Sequence, residues 1–194
     1  MSSRYFDDIV RHKMITPYDP EINTRGREYL NRKLMPHFAE FFKDGDKVLN
    51  VGVHPMWDYS TFFNNPAIQC EYINIDVQDT NPLPDVKDNV AQSKYPDGYF
   101  KGIILVGVYD TLVEATAEGV TAGALRLLDK DGRVLVATSA GDQGSYNPVT
   151  SWPGFVVDEV HYIYGNTHMV SKADDKGYYG RGVCYGIFLI MRKK

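Results

Sequence analysis

Lys47-Val48-Leu49-Asn50-Val51-Gly52 and Tyr72-Ile73-Asn74-Ile75-Asp76 are two short, largely apolar runs separated by about the length of one strand-helix-strand crossover. The first closes on a glycine and the second on an acid. In open α/β sheets ligands sit at the carboxyl ends of the strands, and an acidic side chain roughly 20 residues beyond the first strand-to-helix turn can accept both ribose hydroxyls. A carboxylate accepting two hydroxyl protons makes short, charge-assisted hydrogen bonds. The spacing therefore marks a nucleoside site at Asp76. The alternative is that Asp76 opens a turn, since Asp is common just past a strand.

Working outward, Tyr95-Pro96-Asp97-Gly98-Tyr99-Phe100 reads as a turn leading into Gly102-Ile103-Ile104-Leu105-Val106-Gly107-Val108, a run apolar on both faces that predicts a buried parallel strand. Leu112 through Leu128 predicts a helix except at Gly119 and Gly123, followed by a turn at Asp129-Lys130-Asp131-Gly132 and a fifth strand, Arg133 to Thr138. Pro82 and Pro84 leave little room for a crossover helix after Asp76, so the third strand, near Val86 to Ala91, is expected to be short. Upstream, Leu30, Leu34, Phe38 and Phe41 or Phe42 recur at helical spacing, with Asn23 or Thr24 as a cap and Pro36 kinking or restarting the helix. Residues 1–23, broken by Pro17 and Pro20, read as an N-terminal arm, and residues 24–194 as a single domain.

After a Gly-, Asn- and Ser-rich loop come two β-type runs, near Glu159–Val170 and Val183–Met191. The connector from Lys172 to Gly180 is too short for a crossover helix and forces antiparallel pairing. The fold class is thus α/β: a mostly parallel, seven-stranded sheet with a C-terminal antiparallel hairpin and helices on both faces.

Composition removes several function classes. A net charge of −4 with scattered Lys and Arg argues against binding a nucleic-acid backbone. No stretch is long and apolar enough to span a membrane, and no signal-like start is present, so an intracellular, cytoplasmic location is expected. The two cysteines, Cys70 and Cys184, lie in apolar runs and read as reduced core residues, without disulfide or metal-site spacing. No metal is expected.

Over about Lys47 to Lys194, the segments ending at Gly52 and Asp76, the proline-aspartate approach Tyr95 to Ile104, and Leu125-Arg126-Leu127-Leu128-Asp129-Lys130-Asp131-Gly132-Arg133-Val134-Leu135-Val136 resemble, in order and spacing, the motifs of the class I S-adenosylmethionine-dependent methyltransferases. The resemblance implies a Rossmann-like methyltransferase sandwich with S-adenosylmethionine as cofactor. It implies that Asn50, Gly52, Val53 and His54 border the cofactor at the first strand, that Asp76 holds the ribose with Val77 also at the cofactor, and that Asp88 or Asn89 lies near the adenine with Val90 as a wall. Val106, with Gly107 and Val108, would lie beneath the sulfonium. His54, Tyr109 and Asp110 are the candidates for acceptor-side chemistry, His54 because an imidazole titrates near neutral pH. His54 has a plainer reading as a loop residue bonding the backbone, and Asp110 as a helix cap. The chain departs from the family's first motif at Asn50, where an acid is usual, and at His54, where a second glycine is usual; Pro55 and Met56 follow.

The expected activity is methyl transfer to a small-molecule or glycan-type acceptor, with a homodimer through the hairpin as a further possibility. Two other readings stand beside it. One is a methyltransferase-like binding or assembly module without activity; the other is a nicotinamide dinucleotide site, disfavoured by the missing glycines. Among the aromatics, Trp57, Tyr59, Phe62 and Phe63 read as core, whereas Trp152, Phe155, Tyr178 and Tyr179, in polar connectors, are expected to face a ligand or a partner.

Overall fold

The computed structural model describes residues 26–53, 58–79, 84–109, 114–139, 152–164 and 184–194. The arm, His54, Trp57, Asp110, Tyr178 and Tyr179 lie outside the described residues.

The chain is helical at residue 26, the first described, loosens into a π-helical turn at Leu30–Leu34, and continues as α1, Met35–Ala39. Pro36 sits in the first turn of α1, where its missing N–H costs least, and the wider turn before it accommodates the ring. The expected kink or restart at Pro36 therefore takes the form of a change from the wider to the ordinary turn at Met35, with the backbone helical throughout. Strands β1 (Lys47–Val51), β4 (Glu71–Asp76), β5 (Val86–Lys87), β6 (Phe100–Val106), β7 (Leu128–Ser139), β8 (Phe155–Tyr164) and β9 (Cys184–Lys193) form one sheet in the order β5-β4-β1-β6-β7-β9-β8. β1 pairs in parallel with β4 and β6, and β7 pairs in parallel with β6. β9 runs antiparallel to both β7 and β8, which is the expected hairpin. Short α2 (Ser60–Phe63) and a two-stranded ribbon, β2 (Asn64–Asn65) with β3 (Ile68–Gln69), link β1 to β4.

Alternate residues of the central strands feed two separate cores, because successive strand side chains point to opposite faces. Val48, Ile104, Leu135 and Ile190 meet α1 and α2 through Leu34, Phe38 and Phe63. Leu49, Ile103, Leu105 and Val134 meet α3 (Glu114–Leu127) through Val120, Ala124 and Leu127. Glycine makes two of these contacts possible. A Cβ on Gly102 would lie 2.8 Å from the Phe42 ring, and one on Gly123 would lie 2.2 Å from the Val90 carbonyl oxygen. The helix thus continues through Gly119 and Gly123 instead of breaking there; the glycines serve packing against the 3-10 turn at Val90–Gln92.

The expected turn at Asp129–Gly132 bulges from β7: Phe100 pairs with Leu128, but Gly102 pairs with Arg133. Trp152 and Phe155 are a correction to the expectation that they face a ligand or partner. Both are buried, and Trp152 packs edge-on against Tyr109, 5.1 Å between centroids. The turn before β8, with Gly154 at φ +82°, carries the chain back over the core so that these rings fill it.

Arg126, on the last turn of α3, fastens the loop before β6. Its guanidinium donates to the Tyr95 and Ser93 carbonyls at 2.9 and 2.6 Å and to Asp97 at 2.8 Å. Asp97 is exposed and adds little. The two carbonyl contacts supply the geometry, so Arg126→Ala is expected to destabilise the protein by about 2 kcal/mol. Urea denaturation would show this as a lower midpoint at unchanged slope, while Asp97→Ala should change the midpoint far less.

Candidate functional site

The carboxyl ends of β1, β4 and β6 lie side by side, and the chain leaves two of them through glycines in the left-handed region. Gly52 has φ +84° and Gly107 φ +70°. Each glycine N–H is bonded to the neighbouring strand, Gly52 to the Ile75 carbonyl and Gly107 to the Ala137 carbonyl, both at 2.9 Å. A Cβ on Gly52 would stand 3.3 Å from the Val108 side chain across the gap between the two strand ends. Glycine at position 52 thus leaves room for the Val108 side chain, at the topological switch point beside β1 where an open α/β sheet has its cleft.

Asp76 closes the cleft on the β4 side. One carboxylate oxygen accepts the Val53 N–H at 2.9 Å, and the other accepts the Gln78 N–H at 2.9 Å. Asp76 therefore clamps the loop after β1 and begins its own turn at once, so the ribose-binding and turn-opening readings are compatible. A carboxylate has about four acceptor positions, and two are taken by these backbone donors. The carboxylate can accept two further donors. Val77 beside it is exposed.

Beyond β5, Asp88 is drawn inward by the Ser93 hydroxyl at 2.5 Å and the Asn89 N–H at 2.8 Å. Asn89 caps the following 3-10 turn by accepting the Ala91 N–H at 3.0 Å, and Val90 is buried behind it. Both polar side chains thus shape the loop beside Asp76. Val106 is buried at the end of β6.

Asn50 is buried and points along the sheet, not into the loop: its amide donates to the Asn74 side-chain oxygen at 2.9 Å. Asn74 in turn donates its backbone N–H and side-chain amide to one oxygen of Asp85, at 2.7 and 3.2 Å. A carboxylate at position 50 would face the Asn74 oxygen, so the neutral amide and Asn74 belong together. Sequence reading missed Asn74 and Asp85; an amide at the same strand level as Asn50 was the available signal, legible only with the β1–β4 register. Among the described residues, no group of three His, Cys, Asp or Glu side chains is placed to hold a metal ion, and no helix is long and apolar enough to cross a membrane.

No protein-family model matches the chain, and no curated protein matches it in sequence. Solved structures do match in three dimensions. The geranyl diphosphate methyltransferase in complex with S-adenosylmethionine superposes with a TM-score of 0.60 over 92% of this chain and 93% of that one, at 11% identity. A SAM-dependent methyltransferase from Archaeoglobus fulgidus gives 0.57 over 86% and 94%, at 10% identity. The chain has the class I methyltransferase fold. The [4+2]-cyclase SpnF shares it, with a TM-score of 0.56 over 84% of this chain and 80% of that one, at 15% identity. The methyltransferase fold therefore accommodates more than one chemistry.

Within the methyltransferase fold, Tyr109 follows Gly107 but turns into the core. It is fully buried, and its hydroxyl meets the Thr121 hydroxyl at 3.0 Å, while Thr121 donates to the Ala117 carbonyl at 2.8 Å. Tyr109 thereby ties the loop after β6 to α3. Tyr109→Phe is expected to cost about 1 kcal/mol of stability and to leave cofactor affinity unchanged. A stability loss without change in calorimetric affinity would mark it as a packing residue; a large affinity loss would place its hydroxyl in the cleft.

Proposed function

We propose that this protein binds S-adenosylmethionine across β1, β4 and β6 and transfers its methyl group to a small-molecule acceptor. The observation that carries the reading is Asp76, which holds the Val53 backbone and keeps two acceptor positions for a ribose. The residues present fit the cofactor. Gly52 and Gly107 carry the chain through left-handed turns at the ends of β1 and β6, and Asp88 and Asn89 would border the adenine end. When bound, the cofactor supplies an activated methyl on a sulfonium, so the protein's task is chiefly to place and orient. In this reading Asp76 orients the ribose, the strand ends bearing Gly52 and Gly107 position the methionine part and the sulfonium, and the two cores hold these ends rigid.

The acceptor would be small. The formal charge of −4 gives no attraction for nucleic acid, and the geranyl diphosphate methyltransferase, solved with GPP and sinefungin, gives a precedent on the same fold. Cys70 is buried, its thiol pushed up to about 11 by burial and by Asp46 and Asp44, so it would be a poor nucleophile or metal ligand. His54 and Asp110 are proposed to flank the acceptor, and a homodimer through the hairpin is compatible with this arrangement.

The SpnF precedent favours a second reading, in which the same cleft holds the cofactor or a small molecule without transferring a methyl group. Calorimetry with S-adenosylmethionine and S-adenosylhomocysteine tests the first step. Saturable binding of both supports a cofactor site, and absence of binding by the folded protein rejects it. Labelled-methyl transfer to a panel of hydroxyl, amine and carboxylate acceptors then separates the transferase from the other reading.

A further inference from the structure

On the face opposite α3, five polar side chains form one hydrogen-bonded line between the N-terminal helix and the edge strand β8. Tyr29 Oη lies 2.9 Å from His161 Nδ1, and His161 Nε2 lies 3.2 Å from one oxygen of Glu159. The other Glu159 oxygen lies 2.9 Å from His37 Nε2, and His37 Nδ1 lies 3.2 Å from Glu40. The partners are 122 to 132 residues apart across the helix–strand contacts. His161 is buried and Glu159 largely so, whereas the His37 ring is 41% exposed.

The line sits toward the end of the sheet where the cleft opens. His161 pairs with Phe188, Phe188 with Ala137, and Ala137 with Val106, so His161 is level with the last residue of β6. Tyr29 lies in the helix one residue before its π-helical turn. Its ring also stacks on Phe188 at 6.2 Å.

The two histidines differ in what they need. Both His37 nitrogens face carboxylate oxygens, so both bonds form only when the ring is the doubly protonated imidazolium. A neutral ring would turn a lone pair toward Glu40 or Glu159. His161 instead faces one carboxylate and one hydroxyl, and because the hydroxyl can donate or accept, both of these bonds form with the ring neutral or protonated.

We propose that Tyr29, His161, Glu159, His37 and Glu40 form a latch that fastens the N-terminal helix to β8 beside the cleft and loosens when His37 gives up its proton. The energetic direction agrees with the geometry. The hydrogen bond from Glu159 raises the His37 pKa, with burial opposing and Glu40 adding to the rise. Burial pushes the Glu159 carboxyl up, but the bonds and charges of His37 and His161 outweigh it and hold it below the ordinary range. His37 therefore contributes stability below the ordinary histidine range and loses it as pH climbs through its raised value. Glu159 contributes above the ordinary carboxylate range and loses it on acidification. The latch is therefore closed between the ordinary carboxylate and histidine ranges and opens as pH climbs through the raised His37 value.

Among the described residues, other charges also lie along these elements. Arg133 stands over the Phe41 ring, which packs against His37, and pairs with Asp158 at 3.5 Å; Arg192 also pairs with Asp158, at 2.9 Å. Glu28 and Arg32 form an exposed pair along the helix. Neither Arg133, Arg192, Glu28 nor Arg32 pairs with Glu159, and His37 is the helix residue bonded to it whose two bonds both require the proton.

The latch stands whether or not the cleft binds cofactor, and its test is independent of that reading. Hydrogen exchange followed by mass spectrometry on peptides spanning residues 26–39, corrected for intrinsic rates, should be compared at about pH 6 and about pH 8.5. The expected result is a loss of protection of about tenfold at the higher pH in wild type, and His37→Gln equally unprotected at both. A Tyr29→Phe variant should keep the pH response, since it leaves the His37 contacts intact. Equal wild-type protection at both values, or a pH-dependent loss that persists in His37→Gln, would overturn the proposal. Since His37 is partly exposed, the glutamine variant should fold, and its unchanged near-ultraviolet circular dichroism confirms that the comparison concerns the latch.

Discussion

Replacing Asp76 with alanine is expected to weaken S-adenosylmethionine binding about 100-fold or more, with a modest loss of stability. The affinity term comes from two hydrogen bonds between a carboxylate and ribose hydroxyls, each contributing about 1.5–3 kcal/mol when a charged partner is involved. The stability term comes from the Val53 and Gln78 N–H groups, which would lose their acceptor but lie near solvent. Asp76→Asn separates the two effects: its single amide oxygen can keep one backbone donor but loses the charge, so affinity should fall by about tenfold. Calorimetric titration with S-adenosylhomocysteine, alongside thermal melts, reads both. Unchanged affinity in Asp76→Ala would show that the nucleoside is not held at the end of β4 and that Asp76 serves only the backbone.

The second large effect is Gly123→Ala. In an isolated helix this change would gain about 1 kcal/mol, because alanine is the better helix former. Here the added methyl would lie 2.2 Å from the Val90 carbonyl oxygen and 2.8 Å from the Ala91 Cα, both backbone atoms. Neither can step aside as a side-chain tip could, so α3 must lift from the turn. The expected outcome is a loss of about 3 kcal/mol, or about 6–12 °C in Tm. Gly119→Ala is the control: its methyl would stand 3.5 Å from the Ala91 Cβ, an ordinary contact, and the helix gain should survive. Opposite signs for two glycine-to-alanine changes four residues apart would establish that packing, not helix propensity, selected Gly123. A stabilised Gly123→Ala would contradict the close approach of α3 to the 3-10 turn.

Asp76 and Asn50 show how far the candidate site could be read from the chain. An acid at the end of a second apolar run is a local signal with a direct physical meaning, and the structure places it beside the Gly52 turn. Asn50 stood out as a departure, but what it does depends on Asn74, its neighbour only through parallel pairing. Tyr109 was a candidate by position after the fourth strand; its burial against Thr121 follows from how α3 folds back, which its own flanking residues do not encode. The latch was wholly illegible. His37, Glu159 and His161 are ordinary residues in their own segments, and their meaning arises when a helix from the start of the chain is laid on a strand from its end.

What the amino-acid sequence determined by itself was the succession of elements: apolar runs of strand length, glycine and proline turns, a connector too short for a crossover, and hence a parallel sheet ending in an antiparallel hairpin. These are consequences of backbone geometry and periodicity, which act over a few residues. Only the tertiary structure decided which glycines were required for contact and why Trp152 is core. It alone also decided where Asn50 spends its amide and that two histidines share one carboxylate. Each of those depends on distances between segments remote in the chain, which are set by register and packing and by no local preference.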